Sequence, residues 1–111
     1  MNLNDSIIHS VRDLGTAFRG IQILNIARCE LKDLGGIVAI DNLLELYASY
    51  NEIDDLYDMR YLEKLEVLDL EANQIKDFSQ INMLAENTEL RHVTLEWNPI
   101  SFERNFRKRV A

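Results

Sequence analysis

The chain has 111 residues, of which 47% are hydrophobic and 28% charged, and it carries a net charge of −7. That length gives one domain or part of one, and the composition excludes a disordered or a membrane-embedded chain. The acidic balance argues against wrapping a nucleic-acid backbone, since each bound phosphate needs a cation, and the single cysteine excludes an internal disulfide, which fits a reducing compartment.

The opening "MNLNDSIIHSVRD" has no basic region followed by a long apolar core, so it does not read as a secretory signal. The longest apolar runs, such as "GIVAI", fall far short of the ~20 residues that span a bilayer, and no membrane contact is expected. Instead Leu3, Ile8, Val11 and Leu14 are spaced as Leu70, Ile75, Phe78 and Ile81 are much later. Residues 1–20 therefore read as a partial copy of a unit whose strand is largely missing.

Full copies follow. "IQILNIARCELKDLGGI" from Ile21, "LLELYASYNEIDDLYDM" from Leu43 and "LEVLDLEANQIKDFSQI" from Leu65 carry apolar residues in every shared core column at a period of 22 residues. The leading column is Ile21, Leu43 and Leu65; the next two are Leu24, Leu46, Leu68 and Ile26, Ala48, Leu70. After one polar position come Leu31, Ile53, Ile75, then Leu34, Leu56, Phe78, then Ile37, Met59, Ile81. A fourth copy, "LRHVTLEWNPI", starts at Leu90 after three extra residues in "LAENTE".

The shared pattern L-x-x-L-x-L-x-x-N-x-I/L is that of a leucine-rich repeat. The expected fold is an α/β solenoid of about four and a half units. A short parallel sheet over 24–26, 46–48, 68–70 and 93–95 should line the concave side, with short helices or 3-10 turns on the convex side. Residues 21–98 form the repeats. The polar column Cys29, Asn51, Asn73, Asn98, with Ser6 in the partial copy, sits where the chain leaves the strand. A buried amide there can satisfy backbone groups of the neighbouring turn, so a ladder of side-chain-to-backbone bonds is expected. Cys29 fits the column as a weak donor; with no second cysteine, and with His9 and His92 in other units, it does not read as a catalytic or metal residue.

Residues 99–111, "PISFERNFRKRVA", carry +3 against −10 for the rest. Phe102, Phe106 and Val110 are expected to face the last coil with the arginines outward. The segment reads as the start of an incomplete C-terminal cap, as in a truncated product or a fragment of a longer protein.

Alternation places Ile23, Asn25 and Ala27, then Glu45, Tyr47 and Ser49, then Val67, Asp69 and Glu71, then His92, Thr94 and Glu96 on the concave face, with Arg28, Tyr50 and Trp97 at its edge. Glu45, Asp69, Glu71 and Glu96 with Tyr47, Tyr50, Trp97 and Thr94 make an acidic, aromatic strip suited to a basic protein segment. The plainer reading is that these charges only keep a surface soluble. No nucleophile is paired to a base and no phosphate-cradling glycine loop is present, so no enzyme, cofactor or metal is expected.

The strings "VRDLGT", "IQILNIARCELKDLGGI", "LLELYASYNEIDDL" and "LEKLEVLDLEANQIKDF" together resemble the leucine-rich repeat-containing protein 56 family, from about Leu3 to Ile100. The likeness includes Arg28, Tyr47, Ser49 and Tyr50, which the core does not dictate. The resemblance implies a non-catalytic adaptor in the cytoplasm and cilium or flagellum, assembling or delivering outer dynein arms with intraflagellar transport components. Members of that family are longer, with a completed cap and tails. A phosphatase regulatory subunit and a splicing-type scaffold are the alternatives that a short intracellular repeat leaves open.

Overall fold

The structure is a computed structural model and describes residues 1–8, 11–14 and 20–102. Four three-residue strands, β1 (Ile23–Asn25), β2 (Glu45–Tyr47), β3 (Val67–Asp69) and β4 (His92–Thr94), form one parallel sheet in chain order. The register is fixed by the repeat: Leu24 pairs with Leu46, Leu46 with Leu68, and Leu68 with Val93. A one-residue slip would turn every inward leucine to solvent.

The strands start one residue earlier than the apolar pattern suggests. The third apolar position of each unit already belongs to the corner, yet its N–H still reaches the next strand. Ile26 donates to Tyr47 O at 2.8 Å, Ala48 to Asp69 O at 2.8 Å and Leu70 to Thr94 O at 2.9 Å. Before β1, Asn2 bridges Asn25 in parallel, and Leu3 N–H donates to Asn25 O at 2.7 Å. The opening residues thus continue the sheet by one bridge.

The return legs are short. Ile37–Ala39 and Tyr57–Tyr61 are 3-10 turns, as is Val11–Leu14 near the N-terminus. The third return, which holds the three extra residues, has room for one α-helix, α1 (Phe78–Met83), before a 3-10 turn over Leu84–Glu86. Leu24, Leu43, Leu46, Ile53, Leu56, Met59, Leu65, Leu68 and Ile75 are fully buried between strands and returns. Burial loosens at the last coil, where Val93, in the column of Leu24, Leu46 and Leu68, is 38% exposed. Each coil depends on its neighbours for cover, and among the described residues β4 pairs only with β3.

The corner column is buried and bonded from Cys29 onward. Asn51 Oδ1 accepts from Cys29 N–H at 2.9 Å and Leu31 N–H at 3.1 Å, while its Nδ2 donates to Ile26 O and Ala48 O, both at 2.9 Å. Asn73 Nδ2 reaches the same Ala48 O and its own Leu70 O, both at 3.0 Å, and Asn98 Nδ2 reaches that Leu70 O at 2.7 Å. Two amides therefore meet at each shared carbonyl, and the ladder is continuous. The Cys29 thiol ends it, donating to Leu3 O at 3.1 Å, with burial pushing its pKa up. Ser6, the column's first member, is exposed.

Two expectations are corrected. Ala27 is buried rather than on the open face, because Asn4 folds over it and accepts its N–H at 2.7 Å. Phe102 does not cover the core: it is 72% exposed and meets Trp97 edge to face, ring centroids 6.2 Å apart. Ile100 takes the buried place instead, its N–H donating to Ile75 O at 2.9 Å. The roles expected for His9, Phe106 and Val110 lie outside the described residues, as does the side chain of Leu14.

Candidate protein-binding face

Period-two alternation and the parallel register set the concave face in rows. One row runs Ile23, Glu45, Val67, His92; the next runs Asn25, Tyr47, Asp69, Thr94. Glu45 and Tyr47 lie on the same face of β2, and the Tyr47 hydroxyl donates to the Glu45 carboxylate. That hydrogen bond, with burial and the charges of Glu45 and Asp69, raises the Tyr47 pKa and keeps its hydroxyl protonated. Asp69 stands beside Tyr47 in the row and accepts Glu71 N–H at 3.0 Å. Thr94 is next to Asp69 on β4. Glu45, Tyr47, Asp69 and Thr94 thus form one contiguous polar centre.

The other four residues form a second group at the corner. Tyr50 N–H donates to Glu71 O, and Ala72 N–H to Glu96 O, each at 2.8 Å. The backbone order across adjacent coils is therefore Tyr50 beside Glu71, and Ala72 beside Glu96, with Trp97 following Glu96. Tyr50 is 52% exposed and Trp97 65%.

This corner has a backbone feature that composition hides. Asp5, Arg28, Tyr50, Ala72 and Trp97 all adopt positive φ, between 54° and 67°, just before the polar column; Glu30, just after it, is a second such residue in the Arg28 coil at 59°. The conformation costs a non-glycine residue roughly 1–2 kcal/mol, offset here by the ladder it makes possible. No glycine or asparagine marks the column, so residue type gives no signal of it. The repeat alignment does offer one for Asp5, which falls in the column of Arg28. Their side chains pair, with Arg28 Nε and Nη2 reaching the two Asp5 oxygens at 2.5 and 3.2 Å. The only cation among the edge residues named above is thus turned to the N-terminal side, and the carboxylates of the strip are not neutralised by it.

Parallel coils, inward leucines and the asparagine ladder define this chain as a leucine-rich-repeat protein. No protein-family model matches it. Over 93% of its length it is 47% identical to Leucine-rich repeat-containing protein 56 of Homo sapiens, of which it covers 19%. It is 34% identical over 91% of its length to the Leucine-rich repeat-containing protein 56 homolog of Trypanosoma brucei brucei, covering 14% of that protein. The resemblance read from the sequence is therefore borne out: the curated homologues at 47–48% identity carry that name. The chain spans about a fifth of the length of those relatives. Among solved structures, the Drosophila melanogaster SNF/U2A′ complex contains a chain that superposes with a TM-score of 0.80 at 20% identity. The match covers 96% of this chain and 64% of that one, and it supports the fold alone.

Proposed function

We propose that the chain is a non-catalytic, protein-binding adaptor whose concave face takes a basic segment of its partner. The carrying observation is the grouping of Glu45, Tyr47, Asp69 and Thr94 on adjacent strands, with Glu71, Glu96, Tyr50 and Trp97 along the same edge. Carboxylates interleaved with exposed aromatics suit a cationic partner: charge selects and steers it, and the rings supply desolvated contact area. A shallow sheet open to water gives a poor setting for acid–base chemistry, which needs a positioned nucleophile and base.

The cellular part of the reading rests on likeness to the Leucine-rich repeat-containing protein 56 sequences. On that footing the chain takes part in assembling or delivering outer dynein arms in the cytoplasm and cilium, and its repeats supply a docking face. Affinity capture from flagellated cells tests both parts. Recovery of dynein-arm or intraflagellar transport components supports the reading; recovery of a phosphatase catalytic subunit or a splicing RNA-binding protein in their place overturns the ciliary part. Tyr47→Ala combined with Asp69→Lys is expected to weaken capture with an unchanged melting curve. Full capture by that variant would move the site off the sheet.

A further inference from the structure

At the edge of the concave face a small residue falls between two large aromatic ones, a step in side-chain size that we term a notch. In the positive-φ column Tyr50, Ala72 and Trp97 occupy successive coils. Parallel neighbours lie about 4.8 Å apart, so the backbones of Tyr50 and Trp97 are separated by roughly 10 Å, with only a methyl group between them. Tyr50 and Trp97 are each more than half exposed, and the column between them holds only the partly buried methyl of Ala72. The backbone carbonyls of Glu71 and Glu96 accept from Tyr50 N–H and Ala72 N–H, so two acidic residues stand next to this column in the adjoining coils. Phe102 meets the Trp97 ring edge to face.

We propose that this notch receives one arginine side chain of the partner, an inference that rests on the concave face being the docking surface. A guanidinium is flat and weakly hydrated, stacks on aromatic faces, and offers a fork of N–H donors to carboxylates. Cation–π attraction acts within about 6 Å of a ring centroid, so a cation midway between the two posts is in reach of both. An ammonium is a compact point charge that cannot stack or fork in this way. The molecule shows the same chemistry elsewhere in its own fold. The Arg60 guanidinium carbon lies 3.9 Å from the Tyr57 ring centroid and 5.1 Å from that of Tyr61, and Nη2 donates to both hydroxyls, at 2.6 and 3.0 Å. Arg28, in the notch's own column, is held by Asp5 on the N-terminal side of Tyr50 and does not fill it.

Trp97 is the sole tryptophan, so its emission reports the notch directly. The full chain is titrated with an amidated Gly-Arg-Gly repeat peptide and with its lysine counterpart. The expected result is a saturable change in Trp97 emission with the arginine peptide and at least roughly fivefold weaker binding of the lysine peptide. Ala72→Leu fills the notch without changing charge. Arg28, Tyr50 and Trp97 hold the same backbone conformation, so a larger side chain is tolerated there, and an unchanged melting curve verifies this. The variant is expected to bind the arginine peptide about tenfold more weakly. The double variant Glu71→Gln with Glu96→Gln is expected to weaken it as well. Equal binding of the two peptides, or wild-type binding by Ala72→Leu, overturns the notch. Should Tyr47→Ala with Asp69→Lys abolish binding while Ala72→Leu does not, the notch falls and the concave face stands. If both variants bind as wild type, both fall.

Discussion

The backbone N–H of Cys29 donates to the side-chain oxygen of Asn51 at 2.9 Å, one coil away in the same column. The bond runs from each coil to the next: Ile53 N–H donates to Asn73 Oδ1 and Ile75 N–H to Asn98 Oδ1, each at 3.0 Å. The corners of Cys29, Asn51 and Asn73 are each satisfied by an asparagine that the following coil supplies. Coils therefore fold together, and damage at one corner spreads to the next.

Asn73→Leu keeps the branching of the side chain, enlarges it, and removes the bonds. It orphans the buried Ile53 N–H and takes one amide from the carbonyls of Ala48 and Leu70. An unmet buried backbone group costs about 1–3 kcal/mol, so a loss of roughly 2–4 kcal/mol is expected by chemical denaturation. Cys29→Ala, which gives up a weak thiol donor, should cost about 1 kcal/mol or less. Equal losses for the two would deny the amide its special place.

Asn87 is a second clip, on the convex side. Its Nδ2 donates to Met59 O at 2.9 Å and Leu62 O at 3.0 Å, tying the third return to the second. It is buried, and its oxygen finds no partner among the described residues. Both carbonyls also accept backbone bonds, so they are not left bare on its removal. Asn87→Ala is expected to cost about 1–2 kcal/mol, less than Asn73→Leu, read from urea midpoints. A neutral result would make the clip incidental.

Ala72 sits at φ 56°. Glycine relieves that strain, worth roughly 1–2 kcal/mol, but adds about 0.4–1 kcal/mol of unfolded-chain entropy. Ala72→Gly should therefore stabilise by about 0.5 kcal/mol, a rise of roughly 2–3 °C in Tm. A lowered Tm would contradict the left-handed corner.

The Asp5 carboxyl is held below the usual carboxylate range, chiefly by its hydrogen bond from Arg28 and further by that residue's charge. A depressed folded-state pKa adds stability above the ordinary carboxylate pKa, and that stability is lost as pH falls through the folded value. Asp5→Asn should thus melt slightly below wild type at neutral pH, with the gap closing in acid. The pair is exposed, so the gap is small and shrinks with added salt. A gap that widens in acid would reverse the sign.

Cys29 is buried with its pKa raised, so the thiolate is scarce at neutral pH. Alkylation by iodoacetamide is expected to be slow in the folded protein and fast in urea. Rapid labelling of the folded chain would place the thiol at the surface.

The sequence by itself determined the repeat, the sheet order, the inward leucines and the asparagine column. Each is periodic, and a period of 22 residues leaves parallel coils as the arrangement that buries every apolar column at once. It also placed Glu45, Tyr47, Asp69 and Thr94 on one face, because alternation in a strand is local geometry. Only the tertiary structure decided what depends on neighbours across coils. Ala27 is buried by Asn4, Arg28 is claimed by Asp5, Phe102 lies against Trp97, and Asn87 reaches the second return. The left-handed corners belong there too: any side chain can be held in that conformation when the ladder around it supplies the energy, so residue type carries no mark of it.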